Sequence, residues 1–393
     1  MIRTPIHQAQ SGQLLARSIP NPIDPSTTAV KRGTVLSARV IRALERMAVR
    51  SVWTVEEGVD ALDDFAPSPI NAPLRALVTT YAGAWHLLCE NPEAPLPVEQ
   101  FRIGLEEAVA ELRFLPSFHC VLDHQRHPDF ECGWHAARTA VLAVMMARAW
   151  HEAGRSRSGD DAAAVIPDET ELALGAFLHD IGTALVPESV RMRPGFEATR
   201  QDAEECRKHT ALGAAFLNEQ VGRFAADLAM THHRNFDGTG YPARHILSGS
   251  LLTRGAAMTL SERILSLANA FEVLHGRCGY LTIEALEELN AARSHHFDPD
   301  LLHILNRIVP AFDIGSPVNL SSGHLGIVRG FSPETPFQPA VQLVRDPTGA
   351  SLPEKRRITL RLTDYANLRV RSIDGRRVEH LQPEKSGHGW EDM

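Results

Sequence analysis

The chain has no CxxC pair, no long apolar run and no excess of basic residues. Each absence excludes a class of function. The five cysteines, Cys89, Cys120, Cys132, Cys206 and Cys278, are scattered. That argues against a disulfide framework or a thiolate zinc site, and suits reduced thiols in a cytoplasmic protein. No apolar stretch reaches the roughly 18 residues needed to cross a bilayer. The first residues, MIRTPIHQAQ, lack the apolar core of a signal peptide. The expectation is a cytoplasmic chain with no membrane span. A net charge of −8 argues against a nucleic-acid polymer as partner and leaves room only for a local basic pocket. There is no internal repeat. What is present is an ordinary globular composition, 44% hydrophobic and 22% charged over 393 residues, enough for two or three domains. The 19 histidines are many for this length, and several fall at helix ends.

Periodicity predicts a mainly α protein: a helical bundle between a small mixed α/β N-terminal domain and a short β-rich C-terminal segment. Residues 1–60 read as the α/β unit, a regulatory or interaction domain. Strands are expected over Gln13–Ile19, Gly33–Leu36 and Val52–Val55, and Ser37 caps a helix Ala38–Met47. Glu56–Pro69 reads as a linker. Residues 61–114 read as linker helices, about Ala72–Cys89 and a second one carrying Val98, Phe101, Leu105, Val109 and Leu112 on one face. Their steps of three and four suit packing within the chain or a homodimer seam. Residues 115–315 are helical throughout, with His135–Trp150 apolar nearly all round, as befits a central helix. Further helices are expected over Glu171–His179, Glu204–Glu219, Gly222–His232, Ser261–Leu274 and Thr282–Arg293, with a polar loop at Gly154–Asp161. Residues 316–380 alternate like short strands, with turns at Ser322-Gly323 and Asp374-Gly375. Residues 381–393 read as a disordered tail.

The chemistry concentrates on one stretch, Thr231–Pro242, THHRNFDGTGYP. Paired imidazoles, His232 and His233, end a helix and run into a Gly-rich loop. Upstream, Glu131 and His135 are spaced to share a helix face. His179 and Asp180 form a doublet at another helix end, and His209 opens an apolar helix. Inward-facing imidazoles and carboxylates from separate helices are how bundles build multinuclear metal sites. A nitrogen and oxygen donor set without thiolates suits Fe or Mn ahead of Zn or Ni.

These residues resemble the HD-GYP subgroup of the HD-domain phosphohydrolases. The resemblance is carried by His135, His179-Asp180, His209 and the HHxxxDGxGYP stretch His232–Pro242. Val186-Pro187, Arg193-Pro194-Gly195, Arg263-Ile264-Leu265 and Phe297-Asp298-Pro299 support it, over about residues 115–350. It implies an HD-type bundle and hydrolysis of cyclic di-GMP to linear dinucleotide or GMP in bacterial second-messenger signalling. It also implies two or three divalent metals held by His135, His179, Asp180, His209, His232 and His233. Asp180 would bridge two ions and serve catalysis, and Glu131 would supply a third. Tyr241 would lie beside the nucleotide. A signalling protein could dock on the GYP loop. Two metals roughly 3.5–4 Å apart suit an inert, anionic phosphodiester.

Four positions depart from the family pattern. Thr183 stands where a Lys commonly follows HDIG. Arg234 replaces the Glu of HHE. The DxxD helix motif reads Asn269–Glu272, so the metal-ligand Asp becomes Asn269. The Arg-Pro-Tyr element reads Cys278-Gly279-Tyr280, with Arg277 one position early. Arg234 and Arg193 are candidates to restore positive charge beside the phosphates. A neutral amide at 269 would weaken one metal, which keeps open a non-catalytic nucleotide sensor or adaptor with a degenerate site, or an HD hydrolase of another phosphoester.

Overall fold

In the computed structural model, the described residues are 1–21, 27–47, 49–55, 71–113, 118, 130–154, 168–191, 200–243 and 252–382. The expected linker at Glu56–Pro69, most of the Gly154–Asp161 loop, Arg193 and most of the C-terminal tail lie outside them.

The protein is mainly α, as its periodicity predicts. In the N-terminal part, β1 (Ile2–Pro5) pairs antiparallel with β4 (Ser51–Thr54), and β2 (Ile19–Pro20) with β3 (Thr28–Val30). Helix α1 (Ala38–Arg46) starts where Ser37 accepts from the Val40 amide, the expected cap. The two early strand expectations shrink: within 13–18 and 33–36 only isolated bridges form, Leu14 to Val35 and Leu15 to Thr54. The sheet contact runs through β1 instead, which the sequence pattern did not single out.

Helices α2 (Asn71–Glu90) and α3 (Val98–Leu112) lead to α4 (Glu131–Glu152). The apolar faces of α2 and α3 bury Leu74, Val78, Tyr81, Leu88, Phe101 and Leu105 in the main core. Tyr81, Phe101 and Phe177 interlock there, with ring centroids 5.1–6.5 Å apart. The three-and-four spacing is used within the chain. Helix α4 is buried from Gly133 to Ala147 on every side and packs against α2, α5 (Glu169–Leu178), α9 (Leu260–Glu272) and α11 (Pro299–Ile308). It is the axis of the bundle.

The expected Glu204–Glu219 helix is two: α6 (Arg200–Cys206) and α7 (His209–Gln220). The ring of His209 takes the Cys206 carbonyl at 2.8 Å, and the Thr210 amide turns to Arg207 instead. A side chain thus competes with the backbone ladder at the break. Next come α8 (Arg223–Thr231), α9 with a Thr259/Glu262 capping box, and a π turn Val273–Arg277. Helix α10 (Thr282–Asn290) and α11, capped by Asp298, complete the bundle. Asp298 also accepts from Arg263 at 2.6 Å, both side chains buried. Two motif segments far apart in sequence are therefore one ion pair fastening α11 to α9.

The C-terminal strands β5 (Pro317–Leu320), β6 (Leu325–Ser332), β7 (Thr335–Arg345), β8 (Thr359–Arg361), β9 (Val370–Ile373) and β10 (Arg376–Arg377) form one antiparallel sheet, ordered β10-β9-β5-β6-β7-β8. The N-terminal strand is clasped to it. Arg3 donates its amide to the Gly315 carbonyl at 2.8 Å, and its guanidinium pairs with Asp313 and, at 3.4 Å, with Asp374. A Cβ at Gly315 would overlap the Trp53 ring. The first and last parts of the chain are packed together beside the bundle.

Candidate metal centre

Four helix ends deliver the site. His135 comes from the first turns of α4, His179 and Asp180 from the end of α5, His209 from the start of α7, and His232 and His233 from the end of α8. Glycine lets two of these ends meet. A Cβ on Gly182 would overlap the His209 carbonyl and the Gly213 backbone, so only glycine permits the HDIG turn to lie on α7.

The donors form two groups, each with atoms within 4.8 Å of one another: His135, His179 and Asp180, then His209, His232 and His233. Asp180 joins them, its Oδ1 lying 3.4 Å from His209 Nε2 and 3.9 Å from His232 Nε2. The ring of His179 sits 5.2 Å from that of His135 and 4.7 Å from that of His232.

The backbone orients the rings. Nδ1 of His179, His209 and His232 meets the carbonyl three residues earlier, Ala176, Cys206 and Ala229, at 2.6, 2.8 and 2.8 Å. An Nδ1–H committed to a carbonyl leaves Nε2 with a lone pair directed inward. His209 Nε2 and His232 Nε2 then face each other at 3.1 Å, an arrangement suited to a shared cation. His135 is fully buried and, among the described residues, neither of its ring nitrogens has a hydrogen-bond partner, nor does His179 Nε2. Buried polar atoms are seldom left so. A divalent ion would satisfy them, and the donor set fits one.

Burial holds His135 and His232 well below the ordinary imidazole range, aided at His135 by Arg277 and at His232 by His233. Burial and His209 lower His233 to about 3. Neutral imidazole is the ligating form. Burial alone would raise Asp180, but Arg277 and the imidazoles hold it well below the usual carboxylate range.

Other expected residues fall in several places. Tyr241 stacks on His233, centroids 4.5 Å apart and planes at 23°, with the Arg207 guanidinium 5.0 Å over its ring. Glu131 lies one turn before His135, its carboxylate 3.9 Å from Arg138 and outside both donor groups. Asn269 is buried on α9, one turn before Glu272, which accepts from Arg138 at 2.6 Å. Arg234 is only 4% exposed. Its guanidinium donates to the Thr253 carbonyl at 3.3 Å, and its own carbonyl accepts from Ser266 at 2.8 Å. In this arrangement it locks the loop. Thr183 accepts from Trp85 Nε1 at 3.0 Å and donates to the Asp180 carbonyl at 2.7 Å. The position of the usual Lys is therefore occupied by a contact to α2.

Two residues went unassigned in the sequence. Arg277 donates to Asp180 Oδ2 at 2.9 Å. The π turn, with its wider i to i+5 spacing, sets the position of Arg277; its early place in the motif was the available signal. Arg207 was signalled only by standing two residues before His209.

Imidazoles and a carboxylate gathered from bundle helix ends define a helical metal-binding domain. Residues 159–301 match the HD domain model. The resemblance to the HD-GYP subgroup stands. A 3'3'-cGAMP-specific phosphodiesterase 2 of Vibrio cholerae is 34% identical over 138 residues, 33% of this chain and 24% of that protein. Cyclic di-GMP phosphodiesterase PA4108 of Pseudomonas aeruginosa is 27% identical over 337 residues, 76% of this chain and 74% of the relative. The chain thus spans about a quarter of the first relative's length and about three quarters of the second's. Among solved structures, Bd1817, an HDG"Y"P protein from Bdellovibrio bacteriovorus, is similar with a TM-score of 0.45 and 17% identity, covering 78% of this chain and 98% of that one. Among the described residues no helix is long and apolar enough to cross a membrane.

Proposed function

We propose that the protein is a metal-dependent phosphodiesterase opening cyclic dinucleotides, with cyclic di-GMP the first substrate to test. The observation that carries this is the set of inward-facing ring nitrogens around Asp180. Their nearest satisfactory partner is a pair of divalent cations. His135, His179 and Asp180 would hold one ion, with Asn269 as a neutral fourth donor. His209, His232 and His233 would hold the other, Asp180 would be shared between them, and Glu131 would serve a third. Fe or Mn suits the donors ahead of Zn or Ni. When bound, the ions supply Lewis-acid stabilisation of the phosphoryl oxygens and a nucleophile at neutral pH. Asp180 fixes the spacing between the two donor groups. Arg277 and Arg207 place positive charge at the rim, with Arg193 a third candidate, and Tyr241 braces His233 and borders the nucleotide. The relatives named for cyclic di-GMP and for 3'3'-cGAMP make a purine cyclic dinucleotide the substrate class.

Residues 1–60 are a regulatory or interaction unit, residues 61–114 connect it to the HD-type bundle of 115–315, and a protein partner could use the GYP loop. The setting is the cytoplasm. A second reading, a nucleotide-binding sensor without turnover, is favoured by Asn269 alone, because a buried amide stands where a carboxylate ligand is expected. Incubating the full chain with Mn²⁺ or Fe²⁺ and cyclic di-GMP separates the two: linear dinucleotide or GMP supports the enzyme, and tight binding without product supports the sensor.

A further inference from the structure

Beyond the buried centre, one other set of donors converges. Asp237, His295 and His296 each offer a ligand atom within 4.8 Å of the other two. Asp237 lies in the loop between Arg234 and Tyr241. The two histidines lie in the 3-10 turn Ser294–His296 that precedes α11. Their rings stand 4.1 Å apart at 60°.

The two segments are already held in register. The Phe236 amide donates to the His296 carbonyl at 2.7 Å, and the Gly255 amide donates to the Phe236 carbonyl at 2.7 Å. Asp237 is oriented by Thr239, whose amide and hydroxyl donate to its Oδ1 at 2.8 and 2.6 Å. Burial would raise this carboxyl, but those bonds and the facing imidazoles lower it. Burial and the neighbouring His295 lower His296. The cations beside the cluster are Arg293, paired with Glu288 at 2.9 Å, Arg234, which faces Asp237, and Arg254, whose side chain lies against Gly238.

We propose that Asp237, His295 and His296 form a second, solvent-facing site for a divalent transition metal, tying the GYP loop to the turn before α11. Two imidazoles and one carboxylate are a donor set for Zn²⁺ or Fe²⁺, with water completing the coordination. They are a poor set for Mg²⁺ or Ca²⁺, which want oxygen alone. His295 is exposed while Asp237 and His296 are half-buried, so the ion exchanges with solvent readily. Its position gives it a task. The loop it clamps begins after His233 and ends at Tyr241, and those two rings stack on each other. Occupancy therefore holds the loop that presents both groups to the buried centre, and makes the site a metal-responsive control on it.

The site shares no residue with the buried centre, so the two readings fail separately. The test is equilibrium dialysis of untagged, chelator-stripped full chain against Zn²⁺, with bound metal counted by mass spectrometry. H295A/H296A should lose one equivalent of Zn²⁺ relative to the native chain and keep the rest. In an H179A/H232A background, which removes a donor from each buried group, one equivalent should persist and vanish on adding H295A/H296A. Zn²⁺ should also slow proteolytic cleavage in the 234–241 loop of the native chain and not of H295A/H296A. Should the double variant fold poorly, H295A alone, at an exposed side chain, is expected to weaken that equivalent about 10-fold or more. Equal Zn²⁺ stoichiometry and affinity in the native chain and the folded variants would overturn the proposal.

Discussion

Arg277 Nη2 lies 2.9 Å from Asp180 Oδ2, an ion pair that joins the end of α5 to the π turn after α9. The guanidinium neutralises the carboxylate at the point where the two donor groups meet. It also sits at the rim, its side chain 38% exposed, where an incoming phosphate would find it.

Arg277→Ala should therefore weaken substrate engagement more than metal loading. A hydrogen bond between charged groups contributes about 1.5–3 kcal/mol, or about 10- to 150-fold. KM for cyclic di-GMP is expected to rise by about tenfold or more, with metal content equal or higher. Unchanged KM with lost metal would show Arg277 to be a structural prop for Asp180.

Gly182 tests the geometry of the site. Any Cβ there meets the His209 carbonyl and the Gly213 backbone. Gly182→Ala forces α5 and α7 apart and should cost about 1–3 kcal/mol of stability, the usual range for overpacking. A lower urea midpoint and weaker metal binding are expected together. A variant with native stability and native metal content would show that the close approach is dispensable.

The buried imidazoles set a pH dependence. His135, His232 and His233 have folded-state pKa values below the ordinary imidazole value. Below about pH 6.5 the unfolded chain takes up protons that the folded chain refuses. Stability of the chelator-treated protein is therefore full above that pH and falls as pH drops toward 3, the value to which His233 is lowered. Asp180, also lowered, adds a loss of the same sign below the ordinary Asp value. Urea midpoints measured from pH 7.5 to 4.5 should decline steadily; a flat profile would mean that the rings are protonated in the fold.

Asn269→Asp restores a charged donor at a buried position on α9. Metal binding should tighten about tenfold or more, with faster turnover. Tighter metal without turnover would favour the sensor.

Much of this was legible in the residues. Imidazoles stranded at helix ends, such as His179 and His232, are poor packing material, and their ordered spacing pointed to one centre. The central role of α4 could be read because it is apolar all round. Other features depend on contacts that no local pattern encodes. Thr183 carries no charge, and its hydrogen bond from Trp85 comes from a helix about a hundred residues earlier in the chain. Arg234 reads as a candidate phosphate-facing charge, and its guanidinium is buried with a hydrogen bond to the Thr253 carbonyl. The break at His209 arises because its ring takes a carbonyl that the helix would have used. The clasp from Arg3 to Asp313 spans nearly the whole chain, and strand propensity around residue 3 does not announce it.

The most direct test counts metal and product in one sample: the 393-residue chain, loaded with Mn²⁺ or Fe²⁺, incubated with cyclic di-GMP. At least one tightly held ion per chain is expected, with less metal in D180N, together with release of linear dinucleotide or GMP. Less than one ion per chain with no product, in a folded protein, would contradict it.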